Sequence, residues 1–204
     1  MTQQGRAEAE AEHGADTDAV VIQLSRQAPE HFTALFRRHA PYIQRYVVRR
    51  LGQDAAEDIV AETFLLAFRQ RDSYDLSRAD ARPWLYGIAT NLIARHRRAE
   101  TALYRALART GTDPVAESFT ERVDDRVSAS AAGRRLAVGL ARLSEELRDT
   151  LLLVTWGDLS YEEAAAALGV PVGTVRSRMS RARSKLRRLL GDTNPADFGE
   201  GSQK

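Results

Sequence analysis

Residues 160–189, SYEEAAAALGVPVGTVRSRMSRARSKLRRL, decide the fold, because they encode two helices joined by a tight turn, the second crowded with cations. Ser160 and Glu163 stand where a capping box needs its N-cap and N3 residues, and a run of alanines carries the first helix to Leu168. Gly169 ends it. Pro171, which has no N–H for a first turn to leave unpaired, fixes the backbone where the second helix begins. Val175, Met179, Ala182, Leu186 and Leu189 then recur at helical spacing, so one face can pack on the preceding helices. From Pro171 to Gly191 there is no carboxylate, while Arg176, Arg178, Arg181, Arg183, Lys185, Arg187 and Arg188 all carry positive charge. A packed face backed by an arginine face is the form of a helix-turn-helix that lays its second helix in a major groove. A merely solvated or membrane-surface cationic helix would need neither the capped helix before it nor the Gly-containing turn.

The rest of the chain confines that positive charge to particular segments. The 204 residues sum to a formal charge of only +2, yet Arg82–Arg98 and Pro171–Gly191 lack carboxylates and the segment before Ala19 is rich in them. Segregated charge of this kind favours a polyanionic partner where an even spread would not. There is no cysteine, which removes disulfides and thiolate metal sites and fits a reducing cytosol. No apolar run approaches membrane-spanning length and MTQQGRAEAEAEHG is too acidic for a signal peptide, so the expectation is a cytoplasmic chain without membrane insertion.

Helical periodicity dominates from about residue 25. Phe32, Leu35 and Phe36 share a face, Pro41 is expected to restart the helix, and Ile43, Val47 and Leu51 continue it to Gly52. Asp54 and Glu57 read as a second capping box, opening a helix whose Ile59, Val60, Thr63, Phe64, Ala67 and Phe68 face inward. A polar loop, RQRDSYDLSRADAR, leads to a helix from about Pro83. Its Trp84, Leu85, Ile88, Leu92 and Ile93 can face a core, Tyr86 is expected to be more open, and Asn91, Arg95, His96, Arg97 and Arg98 gather toward its end. Periodicity weakens over 101–131, where GTDPVAESFTERVDD reads as a linker. A second block follows, with Leu136, Leu140 and Leu143 on one helix and Leu147, Leu151 and Val154 on the next, which starts at Ser144. No strand-like alternation appears. The expected class is all-α: two small helical domains joined by a flexible linker, the C-terminal one a helix-turn-helix. The boundaries are a disordered tail at 1–24, a first domain at 25–100, the linker at 101–131, a second domain at 132–191 and a disordered tail at 192–204.

Three stretches of the first module, HFTALFRRHAPYIQRYVVRRLG, DAAEDIVAETFLLAFRQ and ARPWLYGIATNLIARHRR, resemble region two of the bacterial RNA polymerase sigma factors. In the second module, LARLSEELRDTLLLVTWGDLSYEEAAAALGVPVGTVRSRMSRARSKLRRLLG resembles region four. With nothing but an acidic linker between them, the chain looks like the extracytoplasmic-function (ECF) group, over most of residues 30–191.

The resemblance implies partners and roles. Core RNA polymerase would dock on the DIVAETF helix through Asp58, Glu62, Leu65 and Arg69, and an anti-sigma factor is a further implied partner. Tyr74, Arg82, Asn91, Arg95 and Arg98 would recognise and melt the minus-ten element of promoter DNA, a task that needs cations for the separated strand and a surface for an unstacked base. Thr174, Arg176, Ser177, Arg178, Arg181 and Lys185 would enter the minus-thirty-five major groove or hold its phosphates. Arginine takes guanine through O6 and N7, worth about 1–3 kcal/mol of discrimination per bidentate contact, but which arginine reads a base stays open. By the same resemblance the linker threads toward the polymerase active-centre cleft, carrying Asp113, Glu117, Glu121, Asp124 and Asp125.

Two other classes fit less of the chain. A LuxR-like regulator shares the L-S-E-E-L opening and the turn of the second module, but it would carry a receiver or ligand domain ahead of them. An enzyme would need chemistry the sequence does not offer: His13, His31, His39 and His96 have no ligand spacing, and no phosphate loop or nucleophile motif appears. No catalytic residue, metal or cofactor is expected.

Overall fold

A computed structural model describes residues 16–109 and 131–190, and every regular element among them is helical. The first module comprises α1 (Asp18–Ser25), α2 (Phe32–Leu51), α3 (Ala56–Gln70) and α4 (Arg82–Arg109), with short 3-10 turns at Pro29–His31 and Arg71–Ser73. The second comprises α5 (Ala131–Ala141), α6 (Glu145–Thr155), α7 (Tyr161–Leu168) and α8 (Val172–Leu190). The expectations for the C-terminal tail, for most of the N-terminal tail and for the acidic linker residues fall outside the described residues.

The N-terminal expectation needs correction at α1, which lies inside the segment expected to be disordered. Thr17 caps it by accepting from the Val20 N–H, and Val21 and Ile22 are buried. What the composition hid is a long-range anchor. Asp18 accepts from Arg38, from His39 Nε2 at 2.7 Å and from the Ala81 N–H at 2.8 Å, tying α1 to α2 and to the start of α4. Burial alone pushes the Asp18 carboxyl up. The His39, Ala81 and Arg38 hydrogen bonds outweigh it and hold the group below the usual carboxylate value.

Helix α2 also departs from the pattern, running unbroken through Pro41. An interior proline costs about 3 kcal/mol, and the buried residues on both sides of it, Leu35 before and Ile43, Tyr46 and Val47 after, offset that cost. Gly52 ends the helix at φ 83°, its N–H on the Val48 carbonyl at 2.8 Å. The Asp54–Glu57 capping box does not form, because α3 begins one residue later than expected, with Ala55 at its N-cap and no side-chain cap. Phe36, expected inside, is 44% exposed and sits edge-on to Phe64 at 4.8 Å. The linker is shorter than its composition suggested: α4 continues to Arg109, since TALYRALAR is built from good helix formers and the first breaker is Gly111.

The second module keeps closer to the pattern. Ser144 is the N-cap of α6, although its hydroxyl makes no cap bond. The Ser160–Glu163 capping box is complete in both directions, at 3.1 and 2.7 Å. Gly169 adopts the left-handed conformation, φ 64°, that the turn before α8 requires. Val175, Met179, Ala182, Leu186 and Leu190 of α8 pack against Leu140, Leu143, Leu151, Leu152 and Leu159, with Gly139 letting α5 approach Leu186.

The two modules are docked on each other. Helix α7 crosses α4 so closely that a Cβ on Gly87 would lie 2.5 Å from the Ala167 carbonyl oxygen. Arg50 of α2 pairs with Asp149 of α6 at 2.5 Å, both groups buried.

Candidate nucleic-acid interface

At 3.6 residues per turn each residue of α8 advances about 100°, and the buried Val175, Met179, Ala182, Leu186 and Leu190 mark the packed side. Ser177, Arg181 and Arg188 lie on the opposite, exposed side, and Thr174, Arg178 and Lys185 on the flank beside them, half-buried. Five of the six residues expected at the minus-thirty-five element therefore share one continuous surface. Ser177 donates to the Thr174 carbonyl at 3.0 Å, and Arg181 lies back along the helix toward Ser177 at 3.3 Å, so this surface is partly preset.

Arg176 is the exception. Two residues from Arg178, it projects about 160° away around the helix, where it joins Arg183, Arg187 and Tyr161 in lining an open groove of about 490 Å³. Its guanidinium lies 3.7 Å from Glu162, both side chains exposed, an ion pair that contributes little and yields readily to a phosphate. Arg183, to which the sequence gave no role beyond its charge, and Arg187, which it pointed to backbone phosphate or to solvent, thus form a second cationic flank. Their i, i+4 spacing with one another and i, i+7 spacing from Arg176 was the available signal.

Helix α4 is divided into three sectors. Leu85, Ala89, Leu92 and Ile93 face the module's own core, and Gly87 lies beneath the second module. Between these sectors runs an outward stripe of Trp84 and Ile88, half-buried, and Asn91, Arg95 and Arg98, exposed. A tryptophan edge followed by an amide and two cations can receive an unstacked base and hold a single strand. Arg98 lies 3.9 Å from Glu145 of α6, again with both side chains well exposed.

The two remaining minus-ten candidates do not join that stripe. Arg82 is nine residues from Asn91, half a turn around α4, and its Nε–H donates to Asp80 at 2.8 Å. That hydrogen bond is the main reason its pKa stands above the ordinary arginine value. Tyr74 is only 6% exposed. Its hydroxyl donates to the Arg78 carbonyl at 2.7 Å, its ring packs 4.9 Å from Trp84, and burial, with Asp18 and Asp80 nearby, pushes the phenol up to about 12. Tyr74 is a strut that seats Trp84. Tyr86, expected to be more open, is buried with its ring 5.1 Å from Tyr46, at 85° to it.

On α3 the four polymerase candidates, Asp58, Glu62, Leu65 and Arg69, fall at i, i+4, i+7 and i+11 and form one exposed stripe, with Leu65 47% exposed at its middle. Among the described residues a single group has metal-ligand proximity, Asp18, His39 and Asp80. Hydrogen bonds from Arg38, His39, Ala81 and Arg82 already occupy its carboxylates, so it works as a structural clasp. No described helix is long and apolar enough to cross a membrane.

Comparison with known proteins meets this geometry at both stripes. Residues 35–102 match the family profile for sigma-70 region 2, and residues 134–186 match that for sigma-70 region 4. The sigma factor SigL of Mycobacterium tuberculosis, an ECF RNA polymerase sigma factor, is 33% identical over 77% of this chain and 87% of its own length. The chain belongs to the ECF sigma factors. Another ECF relative, SigE of Mycolicibacterium smegmatis, is 34% identical over 76% of the chain, which spans 60% of that protein's length. Among solved structures, the sigma factor RpoE in complex with the anti-sigma factor NepR, from Bartonella quintana, is 28% identical, covering 78% of this chain and 96% of its own, at a TM-score of 0.58. Sigma-70 region 2 thus holds the α4 stripe and the α3 stripe, and sigma-70 region 4 holds nearly all of α8.

Proposed function

We propose that this chain recruits core RNA polymerase through the α3 stripe and directs it to promoters by reading two elements at once. The α8 surface of Thr174, Ser177, Arg178, Arg181 and Lys185 enters the minus-thirty-five major groove, while Arg176, Arg183 and Arg187 neutralise phosphates along the opposite flank. The α4 stripe of Trp84, Asn91, Arg95 and Arg98 receives the minus-ten element and holds the opened strand. Tyr74 and Arg82 act on the minus-ten side by fixing the loop and the start of α4, without touching DNA. The single observation that carries the proposal is that each family region contributes an exposed cationic stripe on a helix that is anchored by a buried face.

The chain acts as an initiation factor and leaves bond-making to the polymerase, in the bacterial cytoplasm where that enzyme works. An anti-sigma factor is a natural regulatory partner, since the RpoE relative is held by one. Run-off transcription with core polymerase on a genomic promoter library tests all of this together. The expected result is a set of transcripts sharing spaced minus-thirty-five and minus-ten motifs. Polymerase binding without a shared motif, or no polymerase binding, overturns the proposal.

A further inference from the structure

Helix α1 precedes the residues that match sigma-70 region 2 and carries no part of any stripe, yet both of its ends are fastened to residues 71–81, the stretch that joins α3 to α4. At its start, the Asp18 N–H donates to the Ala79 carbonyl at 3.0 Å and the Asp18 carboxylate accepts from the Ala81 N–H at 2.8 Å. At its end, Arg26 Nη2 donates to the carbonyls of Arg71 and Asp72, each at 3.1 Å, and of Tyr74 at 3.3 Å. Arg71 reaches back. Its Nε–H donates to the Ser25 carbonyl at 3.2 Å and its Nη1 to the Phe68 carbonyl at 2.7 Å, with the guanidinium 4.0 Å from the centre of the Phe68 ring. Helices α1 and α3 thus end beside each other, and two exchanged arginines supply donors to carbonyls gathered at the two C-termini, where cations are favoured.

Both fastenings converge on Trp84. Along the loop, Arg26 holds the Tyr74 carbonyl, the Tyr74 hydroxyl closes on the Arg78 carbonyl at 2.7 Å, and the Tyr74 ring packs 4.9 Å from Trp84 at 52° to it. Along the helix, Asp18 holds the N–H of Ala81, whose own carbonyl accepts from the Leu85 N–H at 3.0 Å in the turn that carries Trp84. Trp84 heads the outward stripe of α4 and is its one aromatic ring. A ring that receives an unstacked base binds best when it is already in place, because ordering it on contact costs affinity. Helix α1 meets that need from outside the stripe.

We propose that α1 is a brace for strand capture and that Arg26 is its positioning residue, setting Trp84 through Tyr74 without touching DNA. The capture rests on the strand-holding role proposed above for the α4 stripe; the bracing contacts do not. Arg26 reaches its three carbonyls through a single nitrogen, so removing that donor frees the stretch from Arg71 to Tyr74, while Asp18 still ties α1 to α2 and α4. Lysine is the conservative substitute, since an ammonium also offers several N–H donors from one nitrogen, on a stem one bond shorter.

The full chain has two tryptophans, so Trp156→Phe leaves Trp84 as the sole tryptophan emitter. Quenching of that emission by random-sequence single-stranded DNA of about 12 nucleotides then reports a base on the Trp84 ring, whatever else the strand touches. In this background Arg26→Met should keep its helical circular dichroism, weaken the quenching titration about tenfold, the worth of roughly one stacked base, and leave Trp84 more open to acrylamide. Arg26→Lys should recover most of the affinity. Val47→Ala is the control: Val47 is fully buried more than two turns of α2 beyond His39, so its loss destabilises the same module away from the brace, and its titration should match the parent's. Should Arg26→Met lose its helical signal, Arg26→Gln, which keeps an amide donor, takes its place with the same expected loss in direction. A titration equal to the parent's overturns the positioning role, and so does an equal weakening in Val47→Ala. A parent chain whose Trp84 emission no DNA quenches overturns the strand-holding role of the stripe and the capture with it, while the brace stands as a feature of the fold.

Discussion

Helices α4 and α8 both carry cationic stripes, but they are held in opposite ways. Helix α8 rests on its sequence neighbours, with α5, α6 and α7 supplying the leucines and alanines its single buried face needs. Helix α4 is fixed from a distance: Asp18 grips its start from 63 residues upstream, Tyr46 meets it at Thr90, and α7 seats on Gly87. Reading a duplex groove calls for a rigid helix on a small scaffold. On the proposed function, melting falls to the helix whose position distant parts of the chain set, α4.

The largest test strikes the distant support. Asp18→Asn leaves His39 and the Ala81 N–H short of a buried acceptor, a loss of about 3 kcal/mol, measurable by urea denaturation. Because the folded-state Asp18 value is depressed, its contribution is present above the usual carboxylate range and disappears as pH falls through the lowered value. Parent and variant stabilities should therefore converge on acidification. A constant gap across pH 7 to 3 would show that the Asp18 clasp is not the anchor of α4.

Next in size is the local support. Arg178→Ala with Arg181→Ala removes two members of the α8 surface, which should weaken promoter binding by about 2–3 kcal/mol, or roughly thirty- to two-hundredfold, with polymerase binding unchanged. Charge reversal at Asp58 and Glu62 should do the converse: run-off falls because polymerase affinity drops about tenfold, while binding to isolated duplex persists. Equal loss of both activities in either pair would point to unfolding and dissolve the contrast between the stripes. The smallest effect belongs to Arg176→Ala, on the far flank. It should cost under about 1 kcal/mol, nearly the same for every promoter, and reduce the salt slope of binding by about one. A promoter-dependent loss would instead make Arg176 a base reader.

How much was legible in the sequence follows from the same contrast. The second module announces itself through a capping box, a glycine turn and one clean apolar period, all local signals, and the five-residue α8 surface followed directly. The α3 stripe was equally legible. Helix α4 has two buried sides, and the second is marked by Gly87 and Thr90, which carry no hydrophobic signal. Tyr86 was expected to be open because its partner, Tyr46, is 40 residues away, and nothing local marks Arg50, whose partner Asp149 is 99 residues away. The same blindness to distance hid α1. Pro41 and Asp54 misled for another reason: local rules for breaking and capping helices were outweighed by packing along α2 and by a later start of α3.

The length of α4 has one more consequence. From Asn91 to Arg109 it projects as a rod of roughly 27 Å at 1.5 Å per residue, so the connecting segment departs from the tip of a stiff mast. The chain therefore leaves the first module some way beyond the exposed stripe that the same helix carries.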